Sequence, residues 1–113
     1  MNEVAKNNEV VEEKYYEQKF AVDIVERDED YLLIGEVPGV SKKNLDMHIE
    51  DEVLSIKGIS SQTRGNRKIQ FVRHFKVGND VDVNKITAKL EDGLLKAILA
   101  KPESAKPIQI KIA

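Results

Sequence analysis

Ala88-Lys89-Leu90-Glu91-Asp92-Gly93-Leu94-Leu95-Lys96-Ala97-Ile98-Leu99 contains two apolar-rich runs that meet at Asp92-Gly93. Before the junction, Ile86, Ala88 and Leu90 alternate with Thr87, Lys89 and Glu91. A period of two puts one set of side chains in a core and the other in water. After it, Leu95, Ala97 and Leu99 share a face. A tight hairpin turn needs positive φ, which glycine adopts without a steric penalty, so Asp-Gly between such runs predicts a β-hairpin.

The same grammar runs outward from this hairpin in both directions. Val22 and Ile24 share one face of an expected strand within Ala21 to Glu26, and Asp28-Glu29-Asp30 reads as a turn. Tyr31 to Val37 is almost continuously apolar, which predicts a strand covered on both faces. Pro38-Gly39 ends it, and Ser41-Lys42-Lys43-Asn44 reads as a solvated connection. Leu45, Met47 and Ile49 alternate with Asp46, His48 and Glu50. Asp51-Glu52 then turns the chain into a strand from Val53 to Ile59, followed by a polar loop and a strand from Ile69 to Val77. About eight short strands with turn punctuation and no long helix predict an all-β sandwich.

Composition narrows the function. The chain has 113 residues, enough for one domain with a modest core. Its formal net charge of −2 lacks the basic excess of a nucleic-acid binder. Cysteine is absent, which removes disulfides and thiolate chemistry. No apolar run approaches membrane-spanning length, and the N-terminal residues lack the apolar core of a signal peptide. A soluble cytoplasmic protein is expected, with neither membrane nor nucleic acid as partner and no cofactor.

Enzymatic chemistry finds little support. His48 and His74 fall at strand positions with solvated neighbours. The carboxylate runs at 28–30 and 50–52 lack the alternate-position spacing of a calcium loop. There is no phosphate-binding glycine loop and no nucleophile elbow. Arg64, Arg67, Lys68, Arg73 and Lys76 interleave with Phe71 and Phe75, but they alternate as a strand does and read as a structural or interface element.

The two ends read differently from the middle. Residues 1–19 form a short polar arm in which Val4, Val11 and Tyr15 could share a helical face, a mobile arm being the other reading. Residues 20–101 form the sandwich. In residues 102–113, Pro102 and Pro107 hold off a segment in which Ile108, Ile110 and Ile112 alternate with Gln109 and Lys111. Such a segment suits strand addition to an exposed sheet edge, or else a last strand of its own domain.

These pieces together resemble the small heat-shock protein (alpha-crystallin) family. Ala88, Leu90, Gly93 and Leu95 resemble its A-x-L-x-x-G-x-L signature, and Val37-Pro38-Gly39-Val40 its proline-glycine-valine turn. Leu54, Ile56 and Gly58 resemble its L-x-I-x-G strand, and Phe71-Val72-Arg73-His74-Phe75 its F-x-R-x-F strand. Ile108 to Ile112 holds two overlapping copies of the C-terminal I-x-I motif.

The resemblance implies an immunoglobulin-like sandwich of two antiparallel sheets. It implies an ATP-independent holdase that binds partly unfolded clients and assembles with itself. An adaptor with the related CS-type sandwich, holding one folded partner, is the alternative, and such adaptors do not need the I-x-I tail. Carried onto this chain, the tail isoleucines would dock in a neighbour's groove lined by Leu45, Met47, Ile49, Ile86, Ala88 and Leu90. Phe71, Arg73 and Phe75 would lie at a dimer interface, with Arg73 facing a carboxylate of one subunit or the other. Tyr15, Tyr16 and Phe20 would touch clients.

In typical bacterial and plant members, the segment after the L-x-I-x-G strand carries a strand swapped into the partner. Here Ile59 to Gln70 offers twelve residues, about 40 Å when fully stretched, too little for a crossing, a paired strand and a return. An intramolecular hairpin from Val53 to Val77, turning at Gly65-Asn66, is predicted instead. Its returning strand would then pair with its counterpart across a twofold axis.

Overall fold

The computed structural model describes residues 15–113; the possible helix through Val4 and Val11 lies outside them. Eight strands run β1 (Tyr15–Gln18), β2 (Val22–Glu26), β3 (Asp30–Glu36), β4 (Val40–Glu50), β5 (Val53–Arg64), β6 (Arg67–Lys76), β7 (Ile86–Glu91) and β8 (Leu94–Ala100). They form two four-stranded sheets, ordered β1-β6-β5-β4 and β2-β3-β8-β7. Among the described residues the only helical piece is a 3-10 turn at Glu103–Ala105.

The opening hairpin is present as expected. Glu91 pairs with Leu94, and Asp92 and Gly93 both take positive φ, 52° and 76°. Two positive values in a two-residue loop match the right-handed twist of the flanking strands. Gly93 is also constrained by packing: a Cβ there would lie 3.3 Å from the Pro38 backbone. The carbonyl of Gly93 accepts the Val37 N–H at 2.8 Å, which ties this turn to the proline-glycine reversal after β3.

The predicted long hairpin is also present. β5 and β6 pair from Val53↔Lys76 to Arg64↔Arg67, and Gly65 supplies the positive φ at the tip. It is longer than the two separate strands read from alternation, because β5 continues past Ile59 through a buried Ser60 and the exposed residues 61–64, of which Thr63 and Arg64 pair with β6.

Inside the sandwich, Leu33, Val37, Leu54, Ile56, Leu95, Ala97 and Leu99 are buried and bring the two sheets together. On β3 the inward residues Leu33 and Gly35 are buried, whereas Leu32 and Ile34 on the outer face are only half-buried. The expected double-sided cover of β3 is therefore incomplete. Its outer face meets no further layer among the described residues.

Two boundaries and one strand direction differ from the sequence reading. Ser41 to Asn44 belong to β4, with a register break between Val40 and Leu45, rather than to a connection. Tyr15 to Gln18, assigned to the polar arm, form a strand parallel to β6, so ordered structure begins before residue 20. One sheet is antiparallel throughout, and this β1–β6 pair is the parallel exception in the other. For Tyr15 to Gln18 the physical reason is that an unpaired sheet edge favours any neighbouring backbone that can satisfy it, whatever its side-chain pattern.

Candidate groove, tail and hairpin edge

β4 ends one sheet and β7 ends the other. Between these edges lies an open cavity of about 480 Å³ lined by Met47, His48, Ile49, Leu54, Val83, Ile86 and Ala88. Four of the six expected groove residues are among them. Leu45 and Leu90 do not line the cavity, but they pack half-buried on the core beyond it, with Met47, Ile49 and Ile86. Ala88 contributes only a methyl group and is exposed. A short side chain between Ile86 and Leu90 leaves apolar neighbours uncovered.

Val83 and Leu54 were not anticipated. Val83 sits in the turn region before β7 and is half exposed. Its signal was a pair of valines, Val81 and Val83, alternating in a polar run, a pattern too short to single out. Leu54 is buried, and its place at the groove depends on packing between sheets. Solvent-side charges follow the alternation: Asp46 Oδ2 lies 3.0 Å from His48 Nδ1 on the exposed face of β4.

The tail fills nothing in its own chain. Residues 106–113 belong to no strand, and Ile108, Ile110 and Ile112 are 79%, 75% and 90% exposed. In this chain the segment is not paired as a last strand of its own domain. The root of the tail is held by Lys106, whose Nζ donates to Glu103 Oε1 at 2.9 Å and lies 3.7 Å from Glu29 Oε1. The hydrogen bond to Glu103 raises the Lys106 pKa, and the same contact lowers that of Glu103.

The residues expected at a dimer interface divide. Ile69, Phe71, Arg73 and Phe75 have one parity on β6 and therefore point to the sandwich interior. Phe71 is 3% exposed and is a core residue of its own domain. Among the described residues of its own chain Arg73 pairs with no carboxylate; its Nη1 donates to the Phe20 carbonyl at 2.6 Å and its guanidinium lies 4.9 Å from the centre of the Phe75 ring. Phe75 is half-buried and lines a smaller apolar cavity of about 220 Å³ with Ile24, Tyr31 and Val77. The outer edge of β6 is not free along Lys68 to Phe71, because β1 pairs there.

The residues expected to touch clients also divide. Phe20 is 3% exposed and meets Phe71 edge-on, with ring centroids 6.1 Å apart. It plugs the core and is not accessible in this chain. A side chain at Gly35 would collide with the Phe20 ring at 2.8 Å, so the absence of one on β3 makes room for the plug. Tyr16 is exposed beneath the Arg64 guanidinium at 4.9 Å, and Tyr15 is half-buried. Among the described residues no helix is long and apolar enough to cross a membrane.

A two-sheet sandwich with a groove along one lateral edge and a projecting tail is the architecture of small heat shock proteins. Heat shock protein 16.0 from Schizosaccharomyces pombe matches it with a TM-score of 0.66 at 22% identity, over 95% of this chain and 93% of that one. AgsA from Salmonella typhimurium, in a C-terminally truncated form, is 33% identical with a TM-score of 0.59, over 82% and 98% of the two chains. The Hsp20/alpha crystallin family model matches residues 23–113, and the chain belongs to that family.

Among curated relatives, small heat shock protein C4 of Rickettsia felis is 31% identical over 101 residues, covering 80% of this chain. The match spans 62% of the length of C4. The 17.4 kDa class III heat shock protein of Arabidopsis thaliana is 28% identical over 110 residues, covering 81% of this chain and 71% of its own. A small heat-shock protein from Xylella fastidiosa, described as having a distinct high order structure, shares the fold with a TM-score of 0.64 at 24% identity.

Proposed function

We propose that this protein is an ATP-independent cytoplasmic holdase. It assembles with copies of itself and keeps partly unfolded proteins from aggregating. The observation that carries the reading is the mismatch within one chain between an open apolar groove and three exposed alternating isoleucines. A tail that leaves its own groove empty finds the same groove on a neighbour.

Magnitudes favour exchange. Burying one isoleucine side chain contributes about 1.5–3 kcal/mol. Association costs about 4–15 kcal/mol of lost freedom. One tail therefore holds weakly, and several tails in one assembly hold firmly through raised local concentration. Each release uncovers a groove suited to other extended apolar segments. That is client binding without nucleotide turnover, and it assigns no catalytic residue and no cofactor.

We assign the first dimer contact to the part of β6 beyond Phe71, where Arg73 and Phe75 remain near the edge. Tyr15 and Tyr16 are the aromatic side chains of the arm left for client contact. The CS-type adaptor is not favoured, because it gives the isoleucine tail no role.

The test is suppression of aggregation. A heat-labile enzyme mixed with this protein should stay soluble without ATP. A requirement for ATP, or no protection at any ratio, would overturn the holdase reading.

A further inference from the structure

The groove and the tail carry charges that the apolar contacts do not use, and these charges have a direction. Along β4, Lys42 and Lys43 come first, Asp46 stands in the middle, and Glu50 leads into Asp51 and Glu52 at the turn. All six side chains are exposed. Among the described residues no strand pairs with the outer edge of β4. The tail carries Lys106 at its root and Lys111 between its last two isoleucines.

Leu45 to Ile49 on β4 and Ile108 to Ile112 on the tail have the same length, five residues with three apolar side chains at alternate positions. An added strand therefore has one full-contact register in each direction, with Ile110 level with Met47. Run parallel to β4, the tail sets Lys111 opposite His48 and brings Lys106 level with Lys43, like charge against like. Run antiparallel, it sets Lys111 opposite Asp46, opposite charge against opposite charge, and leads the root of the tail past the end of β4 toward the acidic turn at Glu50, Asp51 and Glu52. Addition to β7 instead, with Ile110 level with Ala88, would set Lys111 opposite Thr87 or Lys89. Directly opposed residues interact most strongly across strands, and like charges there are destabilising.

We propose that the tail of a second copy docks antiparallel to β4. All three isoleucines are engaged at once, with Ile108 at Ile49, Ile110 at Met47 and Ile112 at Leu45, and Lys111 lies opposite Asp46. The proposal rests on the tail-docking reading above and adds its direction, its register and a specificity-determining ion pair. The two overlapping I-x-I copies are then not alternatives, because one docking event uses both. Docking also places Lys111 on the carboxylate that His48 holds in the free chain.

The native chain has no cysteine, so each disulfide in the test is an introduced one. Opposed residues in antiparallel strands lie about 4.5–5.5 Å apart between Cα atoms, inside the range a disulfide spans. Full-length chains bearing Asp46→Cys and Lys111→Cys are mixed, oxidised, and examined for linked peptides by mass spectrometry. Strong linkage is expected for this mixture and little for His48→Cys or Thr87→Cys mixed with Lys111→Cys. Preferential linkage at His48 or Thr87 would overturn the direction while leaving tail docking intact. No linkage in any of the three mixtures, with assembly retained, would overturn both.

A charge exchange gives a second reading. Lys111→Glu should weaken assembly by up to about fivefold, the scale of one cross-strand charge pair. Asp46→Lys in the same chain should restore it. A double variant no tighter than Lys111→Glu alone would remove the ion pair from the proposal.

Discussion

The two lateral edges of this sandwich begin from the same problem and solve it oppositely. At the side where β2 and β6 approach each other, Phe20 lies between the sheets against Phe71 and Gly35, β1 lies along part of β6, and Arg73 closes over the Phe20 carbonyl. At the β4–β7 side no residue among those described takes that place, and Ala88 is exposed between larger neighbours. A sandwich edge is core where the chain supplies its own plug, and it is a binding site where the plug comes from elsewhere. The tail isoleucines are exposed in their own chain, and the proposed docking gives them the place of that plug on a neighbour.

The contrast can be broken most severely at the plugged edge. Phe20→Ala should cost about 3–5 kcal/mol of stability, as removal of a buried aromatic does, and lower the melting temperature accordingly. Replacing Ile110 and Ile112 together by alanine should leave the melting curve almost unchanged, within about 0.5 kcal/mol for exposed sites, while assemblies shrink toward dimers by light scattering. Equal destabilisation by the two changes would mean that the tail is a plug for its own domain.

A second change makes the open edge resemble the closed one. Ala88→Phe places a ring where the tail would enter and should reduce large assemblies while sparing the fold. Full assembly by this variant at the wild-type concentration would mean that the tail docks elsewhere.

The smallest effect concerns the end of the plugged edge. Lys101 is buried, donates to Glu26 Oε2 at 2.7 Å and lies 5.2 Å from the centre of the Tyr31 ring, which holds the end of β2 onto β3 and β8. The hydrogen bond to Glu26, ahead of the opposing effect of desolvation, raises the Lys101 pKa. A raised pKa means that this contribution is complete below the ordinary lysine value. It is lost as pH climbs through the raised one. Stability should therefore decline on the alkaline side, and Lys101→Met should flatten that limb in urea titrations across pH. An unchanged alkaline slope in the variant would assign the decline to other groups.

Which parts of this could be read from the chain follows from how far each interaction reaches. Alternation of Ile86, Ala88 and Leu90, the Asp92-Gly93 turn and the length available between Ile59 and Gln70 are local properties. They depend on backbone conformation and chain length within a few residues, so the strands, the hairpin and the family likeness were legible. The groove was legible for the same reason, because each wall is one alternating strand. Val83 at its rim and Leu54 at its floor were not, since neither position follows from its own neighbours.

Phe20 and Phe71 show where sequence by itself stops. Both sit in strand-like, half-polar surroundings, and an exposed contact residue has the same local pattern as a plug. Only tertiary structure brings Phe20 onto the empty face of Gly35 and turns Arg73 toward a carbonyl 53 residues away in sequence. It also sets Tyr15 to Gln18 beside β6, a parallel pairing whose partners are equally remote. Alternation determines which side chains share a face. Which faces meet is decided by long-range packing, where the whole chain competes to cover each edge.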